Sequence, residues 1–226
     1  CANVSNQVIP VSLATHTPGD PISIPSPLAI SITPDGTLAY VTSLFRSYVT
    51  VIDITKNLVI TTVSIPGAIP LETGITPDGT TAFVTNISNP NLTPINTTTQ
   101  AKEALVDVGG DSSGIAITPD GTTAYICLTS TDSVGVLVLA TRQLSTEIPL
   151  TPDVGPPLPF PPNETTAYVA TQEKLTPITL PANMPQSPIT FPSYVSEFSV
   201  TPDNLTGYAT LSYDDKVIPV TLATAT

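Results

Sequence analysis

Short apolar segments alternate with polar turn residues along the whole chain. They are rich in Val, Ile, Tyr and Thr, which favour extended strands. One stretch of the chain contains four of them, at residues 114–117, 124–128, 134–137 and 148–150. Strands are therefore predicted throughout, and the 26 prolines argue against long helices.

The end of the first strand and the start of the second belong to a repeated motif, Ile117-Thr118-Pro119-Asp120-Gly121-Thr122-Thr123-Ala124-Tyr125. It recurs at residues 32–40, 75–83, 160–168 and 200–208, and its Pro recurs at steps of 43, 42, 43 and 40 residues. Pro, Asp and Gly in this order are typical of a tight turn between two strands. A period of about 40–45 residues with four strands predicts one β-propeller blade per repeat.

The strands of each repeat are called A, B, C and D in chain order. Five A strands predict an all-β propeller of five four-stranded blades in a single domain, 1–226. The repeats lie near 1–31, 32–74, 75–116, 117–159, 160–199 and 200–226, with the first and last incomplete. The alternative is a fragment of a six- or seven-bladed propeller.

The two ends of the chain enter the repeat at the same place. Residues 8–15 align with a strand C and 22–24 with a strand D, while 217–224 form the last strand C. We expect the N-terminal strand D to complete the last blade and close the ring, which leaves one strand C to spare. Prolines inside other C strands predict bulges or weakly paired positions, at Pro94, Pro177 and Pro219.

The segment Ala39-Tyr40-Val41-Thr42-Ser43, and its counterpart at residues 82–86, carry a family resemblance. Together with 49–57 and 63–67 they resemble the YVTN-type β-propeller repeats of bacterial and archaeal surface and secreted proteins. The resemblance implies the fold over nearly the whole chain and an extracellular or cell-surface location. It implies no particular activity, because propellers serve many functions.

Composition narrows the classes of partner. The net charge is −12, with six Lys and Arg, so nucleic acid is an unfavourable partner. No apolar run is long enough to span a bilayer. Residues 151–162 are rich in Pro, and we interpret them as a stiff connector between blades rather than a polyproline ligand.

Few residues are candidates for chemistry. Cys1 followed by Ala resembles the lipidated start of a bacterial lipoprotein, which would make it a lipid anchor. Its alignment with Cys127 favours an ordinary strand residue instead. Cys127 aligns with Cys1, so a disulfide between these distant blades is disfavoured and Cys127 is predicted to be buried. His16 alone can form neither a multi-histidine metal site nor, without a nucleophile motif, a catalytic triad, and is predicted to be a solvated loop residue.

The carboxylates are interpreted as turn or loop residues. Each repeated turn has one Asp, whereas calcium takes six to eight oxygens. The remaining acidic candidates, Asp107, Asp111, Asp214 and Asp215, form no pair that indicates a glycosidase. No cofactor or metal is predicted. Glycosylation sequons, which chance also produces in a chain rich in Thr and Asn, occur at Asn3, Asn86, Asn91, Asn96, Asn163 and Asn204.

The sequence favours a non-enzymatic structural or protein-interaction module whose partners are proteins or surface glycans. Its spare terminal strand predicts strand addition between copies, giving a homo-oligomer, filament or layer. The alternative is a small-ligand or carbohydrate-binding propeller, or a hydrolase or lyase, that uses the central channel. The small residues expected there, such as Gly114, Ala116 and Ser199, weaken that alternative.

Overall fold

A computed structural model describes residues 5–150, 154–157 and 165–222. The chain has the all-β fold of a five-bladed β-propeller, as the repeat predicts. It forms two compact units, Cys1–Ser112 and Ser113–Thr226. The single domain and the closure of the ring by terminal strands concern both units together, and they stay predictions.

The first unit contains one two-stranded and two four-stranded antiparallel sheets. A short N-terminal pair is made by β1 (Gln7–Val8) and β2 (Ile22–Ser23). The first blade consists of β3 (Pro27–Ile32), β4 (Leu38–Ser43), β5 (Tyr48–Asp53) and β6 (Leu58–Ser64). The second consists of β7 (Ile69–Ile75), β8 (Thr81–Ile87), β9 (Asn91–Asn96) and β10 (Val106–Asp107).

The second unit contains three sheets, and the first strand of its first sheet starts one residue before the boundary. The third blade consists of β11 (Ser112–Ile117), β12 (Thr123–Leu128), β13 (Ser133–Val138) and β14 (Gln143–Pro149). The fourth consists of β15 (Val154–Pro157), β16 (Thr166–Thr171), β17 (Lys174–Thr179), β18 (Met184–Pro185) and β19 (Ile189–Thr190). The fifth consists of β20 (Val195–Val200), β21 (Thr206–Leu211) and β22 (Lys216–Thr221), three strands in the described chain.

The middle strands of a blade are buried on both faces because neighbouring sheets cover them. In β4, Ala39 to Ser43 are all buried, so Tyr40 faces one neighbour while Val41 faces the other. Tyr40 packs in a cluster with Val84 and Ile95 of the second blade. Val41 packs with residues of the N-terminal pair. Each sheet therefore needs its neighbours to bury its apolar residues, as repeat architectures require.

Pro94 and Pro177 of strand C lie opposite interrupted D strands, which confirms the predicted weak pairing at these two prolines, whereas no strand D is described opposite Pro219. Pro94 pairs in register with Phe83 of strand B, so it disturbs nothing on that side. Its carbonyl faces the other side and accepts from the Glu103 N–H, but a proline has no N–H of its own to donate there. Strand D of the second blade is accordingly only two residues long.

The same interruption recurs at Pro177 in the fourth blade. There strand D is split into two short pieces, β18 and β19, and the backbone opposite Pro177 bonds through Gln186. The first and third blades have Val51 and Val136 at this position, and their D strands are continuous over seven residues. A proline at this position of strand C thus accompanies a short or split outer strand in the second and fourth blades, and a valine accompanies a long one in the first and third.

Two expected strands differ in the structure. The predicted N-terminal strand at 8–15 is limited to Gln7–Val8, because Pro10 interrupts it and the chain turns back at residues 12–17, where the Ser12 N–H bonds the Thr17 carbonyl. In the fourth repeat, strand A is Val154–Pro157, so the pairing of the Pro-rich segment starts earlier than the motif at residue 160 indicates. This segment is therefore partly a blade strand rather than only a connector.

Candidate functional site

The repeated turn is a closed hydrogen-bond unit. Asp35 accepts a hydrogen bond from the Thr33 hydroxyl at 2.6 Å, and from the Thr37 N–H at 3.1 Å and hydroxyl at 2.9 Å. The Thr33 Oγ1 in turn accepts from the Leu38 N–H at 3.0 Å. Gly36 has φ of 71°, a conformation that glycine adopts without a steric penalty. These bonds, led by the one from Thr33, hold the pKa of Asp35 below its usual value.

The same unit recurs in three other blades. A Thr hydroxyl two residues before the Asp is again its first hydrogen-bond donor, and the Asp pKa is again lowered. The carboxylates are Asp78, Asp120 and Asp203. In the fifth blade Asn204 replaces the Gly and takes φ of 58°. The turn carboxylates therefore serve the hairpins, as the sequence indicates.

A cleft of about 610 Å³ lies in the first unit, where the turns of the first two blades come together. Its walls carry Thr hydroxyls and the carboxylates of Asp35 and Asp78, while Pro34 and Leu38 add apolar surface. The lining contains no cation. Such a surface offers hydrogen-bond acceptors to neutral polar or cationic groups, but the turns already use both carboxylates.

The Thr of the Ala-Tyr-Val-Thr segment has a role that sequence reasoning missed. Thr42 Oγ1 accepts from the Ala29 N–H at 3.1 Å, beside an irregularity in the pairing of β3 with β4. It donates to the Leu71 carbonyl of the next blade at 2.8 Å. Thr85 accepts the Glu72 N–H at 3.0 Å in the second blade. This Thr recurs after Tyr-Val or Phe-Val in strand B, and that recurrence could have indicated its structural role.

The Tyr of the same segment links neighbouring blades. The Tyr40 hydroxyl donates to Gln100 Oε1 at 2.8 Å, and the Tyr125 hydroxyl donates to Asn183 Oδ1 at 2.6 Å. Gln100 and Asn183 lie in the turns between strands C and D, both with positive φ. Burial raises the pKa of both tyrosines, so their hydroxyls stay protonated donors at neutral pH. The contact is structural rather than catalytic.

Of the cysteine and histidine candidates, the structure describes Cys127 and His16. Cys127 is buried among apolar residues of the third and fourth blades, as predicted. His16 is exposed in the N-terminal loop with φ of 55°. Cys1 lies outside the described residues, so its lipidation stays a prediction.

One sequon is inaccessible in the fold. The Asn86 side chain is 0% exposed, and its Nδ2 donates to the Asn91 carbonyl at 2.8 Å and to Thr93 Oγ1 at 3.2 Å. A glycan at that nitrogen would break these bonds, so Asn86 is removed from the candidates. Asn91, Asn96 and Asn204 are partly exposed, and Asn3 and Asn163 lie outside the described residues.

The other acidic candidates lie in loops and at strand ends. Asp107 is exposed and accepts from the Gly109 N–H at 2.9 Å, and Asp214 lies 3.7 Å from the Lys216 ammonium. Asp111 is half-buried and Asp215 is exposed. Within residues 5–150, 154–157 and 165–222, no three His, Cys, Asp or Glu side chains are grouped as metal ligands would be. No helix in that part of the chain could cross a membrane.

The small residues expected along the inner strands differ in burial. Gly114 is buried, Ala116 is half-buried and Ser199 is exposed. Beside Ser199, Glu197 lies in β20, and desolvation raises the pKa of its carboxyl. Sequence reasoning did not single out Glu197, because nothing in its local pattern distinguishes it from other charged strand residues.

Comparisons with known proteins identify the fold. No family model matches the sequence, and no curated protein matches it. A solved protein of unknown function from Desulfotomaculum acetoxidans DSM 771 superposes with a TM-score of 0.78 at 18% identity, over 93% of this chain and 71% of that one. A chain of the Kuenenia stuttgartiensis hydrazine synthase structure superposes with a TM-score of 0.68 at 16% identity, over 98% and 91%. At such low identity the likeness extends to the fold alone.

Proposed function

We propose that the chain is a non-enzymatic structural or protein-interaction module outside the cell or on its surface. The main support is that the groups able to do chemistry are used by the fold. Thr76 and Thr80 bind Asp78 in its turn, as their counterparts do in other blades, and the Tyr hydroxyls link the blades. What the described surface offers instead is sheet edges and polar turns.

Composition supports the location. A surface poor in Lys and rich in Thr is a composition that resembles that of exported proteins. The resemblance of residues 39–43 and 82–86 to YVTN-type repeats points to the same setting. The partners are then proteins or surface glycans that contact blade edges and loops, or further copies of the chain joined through a spare terminal strand.

Labelling of intact source cells with a membrane-impermeant amine reagent tests the location. The four lysines Lys56, Lys102, Lys174 and Lys216 are the labelling sites. We expect labelled peptides from intact cells in the same yield as from lysed cells. Labelling only after lysis would contradict the proposal, and mass spectrometry of the same material reports whether Cys1 is lipidated and which sequons carry glycans.

Glu197 supports a second candidate, the binding of a small ligand or carbohydrate at an inner strand. Glu197 is exposed on its strand, and a carboxyl with a raised pKa in an accessible position is a common feature of functional sites. Glycan-array binding by the native chain, lost in Glu197→Gln and retained in Glu173→Gln, would favour this candidate. Absence of glycan binding by the native chain would remove it.

A further inference from the structure

The turn between strands B and C of the fifth blade carries an exposed aromatic ring. Tyr213 lies just after β21 and is 82% exposed. The Ser212 N–H, one residue earlier, bonds the carbonyl of Tyr194, which lies in the loop that leads into β20. This bond holds the turn and the loop together at one end of the blade, and the two tyrosine rings are in contact there.

The two rings form a corner. Their centroids are 6.1 Å apart and their planes are inclined at 68°, an edge-to-face arrangement that aromatic pairs favour. Two planes inclined in this way bound a wedge of space, and one wall of this wedge, the Tyr213 ring, is open to solvent. The other wall, Tyr194, is half-buried. The corner therefore offers two aromatic faces to a group of side-chain size.

Two carboxylates follow the exposed ring in the same turn. They belong to Asp214 and Asp215, of which Asp215 is exposed. The nearest cation along the chain is Lys216, whose ammonium lies 3.7 Å from the Asp214 carboxylate. The lysine side chain is 64% exposed, so this ion pair is a weak surface contact. Two carboxylates against one ammonium leave the turn negative, in a chain whose net charge is −12.

The corresponding turn of the first blade provides an internal comparison. The residue before Phe45 donates its N–H to the Ser26 carbonyl. The fifth blade has the same bond from the residue before Tyr213 to Tyr194. Phe45 is 77% exposed, but Ser26 stands where the fifth blade has its second ring, and Arg46 follows in place of a carboxylate. One ring beside a cation is thus compatible with this turn, so its folding does not require the tyrosine pair.

We propose that the corner between Tyr194 and Tyr213 binds the guanidinium group of an arginine on a partner protein. A cation over the face of a tyrosine is attracted by the ring quadrupole, and guanidinium also stacks flat on such a ring. Its N–H groups are donors that the carboxylates of the same turn can accept. A quaternary ammonium would match the rings but has no N–H to donate to a carboxylate. The contact rests on the proposed function as an interaction module, and it names the chemistry of the partner.

Titration of the native chain with N-acetylarginine amide, followed by the NMR signals of the tyrosine rings, tests the site. N-acetylcitrulline amide has nearly the same shape without the charge and is the control ligand. We expect saturable shifts of the Tyr194 and Tyr213 ring signals with the arginine ligand, and about fivefold weaker binding of the citrulline ligand. Equal binding of both ligands, or no saturable shift with the arginine ligand, would overturn the proposal.

Variants separate the rings from the rest of the turn. Tyr213→Phe keeps the aromatic face and should retain binding within about twofold, whereas Tyr213→Leu keeps only apolar surface and should weaken it about fivefold. Asp215→Asn should weaken binding as well, most strongly at low salt. Phe45→Leu is the matched control in the first blade and should leave binding unchanged. A loss in Phe45→Leu as large as in Tyr213→Leu would contradict the assignment to this corner.

The outcomes separate this contact from its alternatives. Choline is the third ligand, and if it binds more tightly than the arginine ligand, the corner takes a methylated ammonium and the arginine proposal is wrong. If no cation binds, the corner is not a site, while the cell-surface location keeps its own test in the labelling of intact cells. If the arginine ligand binds but lysines are labelled only after lysis, the contact is supported and the proposed location is wrong.

Discussion

At the scale of single residues, the repeat is maintained by small hydrogen-bonded units rather than by reactive groups. In the Thr-Pro-Asp-Gly turn the Asp carboxylate and the preceding Thr hydroxyl find partners within a few residues, as Thr118 does for Asp120 at 2.5 Å. Sequence alone predicted that these Asp residues belong to turns. It did not predict the donor set, because the Thr two residues earlier is one of many threonines in the chain.

The turn carboxylates make stability depend on pH. A folded-state pKa below the unfolded value of about 3.8 stabilises the fold above that pH, and this contribution is lost as pH falls through the folded pKa. The urea midpoint of the native chain should therefore decrease as pH falls below about 4. In Asp78→Asn with Asp120→Asn, the decrease should be smaller, because two of the shifted groups no longer titrate.

The control for this pH effect is Asp20→Asn, which removes an exposed carboxylate outside the turns. It should leave the pH profile of the urea midpoint close to that of the native chain. A double variant whose acid profile matches the native one would show that the turns do not carry the effect.

Gly207 is required by a neighbouring ring. The other four repeats have Ala at this position of strand B, but a Cβ at Gly207 would lie 2.1 Å from the Phe198 ring, which is fully buried. Gly207→Ala should destabilise the fold by about 1–3 kcal/mol, as overpacking of a core does. The third blade has Ile115 at the position of Phe198. Adding Phe198→Ile to Gly207→Ala should therefore recover much of the lost stability. Chemical denaturation of the three variants measures this, and additive effects would contradict the clash.

At the scale of elements, contacts between blades depend on side chains that point out of strand B. Tyr40 reaches the turn of the next blade at Gln100, whereas the second blade has Phe83 at the same position. The ring alone is therefore compatible with the fold, and the hydroxyl adds a specific bond. The repeat predicted a buried aromatic residue here, but its partner 60 residues away is determined by how the blades stack.

Removing that bond should have a modest cost. Tyr40→Phe should lower the free energy of unfolding by about 0.5–1.5 kcal/mol, the typical net contribution of one hydrogen bond. Gln100→Ala in the Tyr40→Phe background should then cost less than in the native background. The difference between these two costs, from a double-mutant cycle in urea, gives the coupling. Zero coupling would show that the bond contributes nothing.

Strand C decides the length of strand D. Val51→Pro should shorten β6, because it removes the N–H that faces this strand and costs about 1–2 kcal/mol. Hydrogen exchange of the β6 amides should accelerate, while those of β4 should not. Pro94→Val is the converse and should leave stability nearly unchanged. Unaltered exchange in β6 of Val51→Pro would contradict this role of the proline.

At the scale of the whole molecule, charge opposes association between copies. Each chain has a net charge of −12, and salt screens repulsion beyond a Debye length of about 8 Å at physiological ionic strength. Self-association of the native chain should therefore strengthen as NaCl is raised from low to moderate concentration. Sedimentation at several salt concentrations measures it. Weaker association at higher salt would instead indicate that ion pairs hold the copies together.

The sequence by itself determined most of the strands, the turns and the number of blades. These follow from local chemistry, since turn residues and alternating apolar residues act over a few positions and recur with the period. The buried state of Cys127 and the loop position of His16 followed from the same register.

Only the tertiary structure decided which side chains meet across sheets. It gave Thr42 its bond to Leu71, removed Asn86 as a glycosylation site and set Gly207 against Phe198. It also gave β6 and β14 different patterns of exposure, although the repeat predicts the same strand D at both places. Contacts of this kind depend on the stacking of sheets and on burial, which residues far apart in the chain determine together.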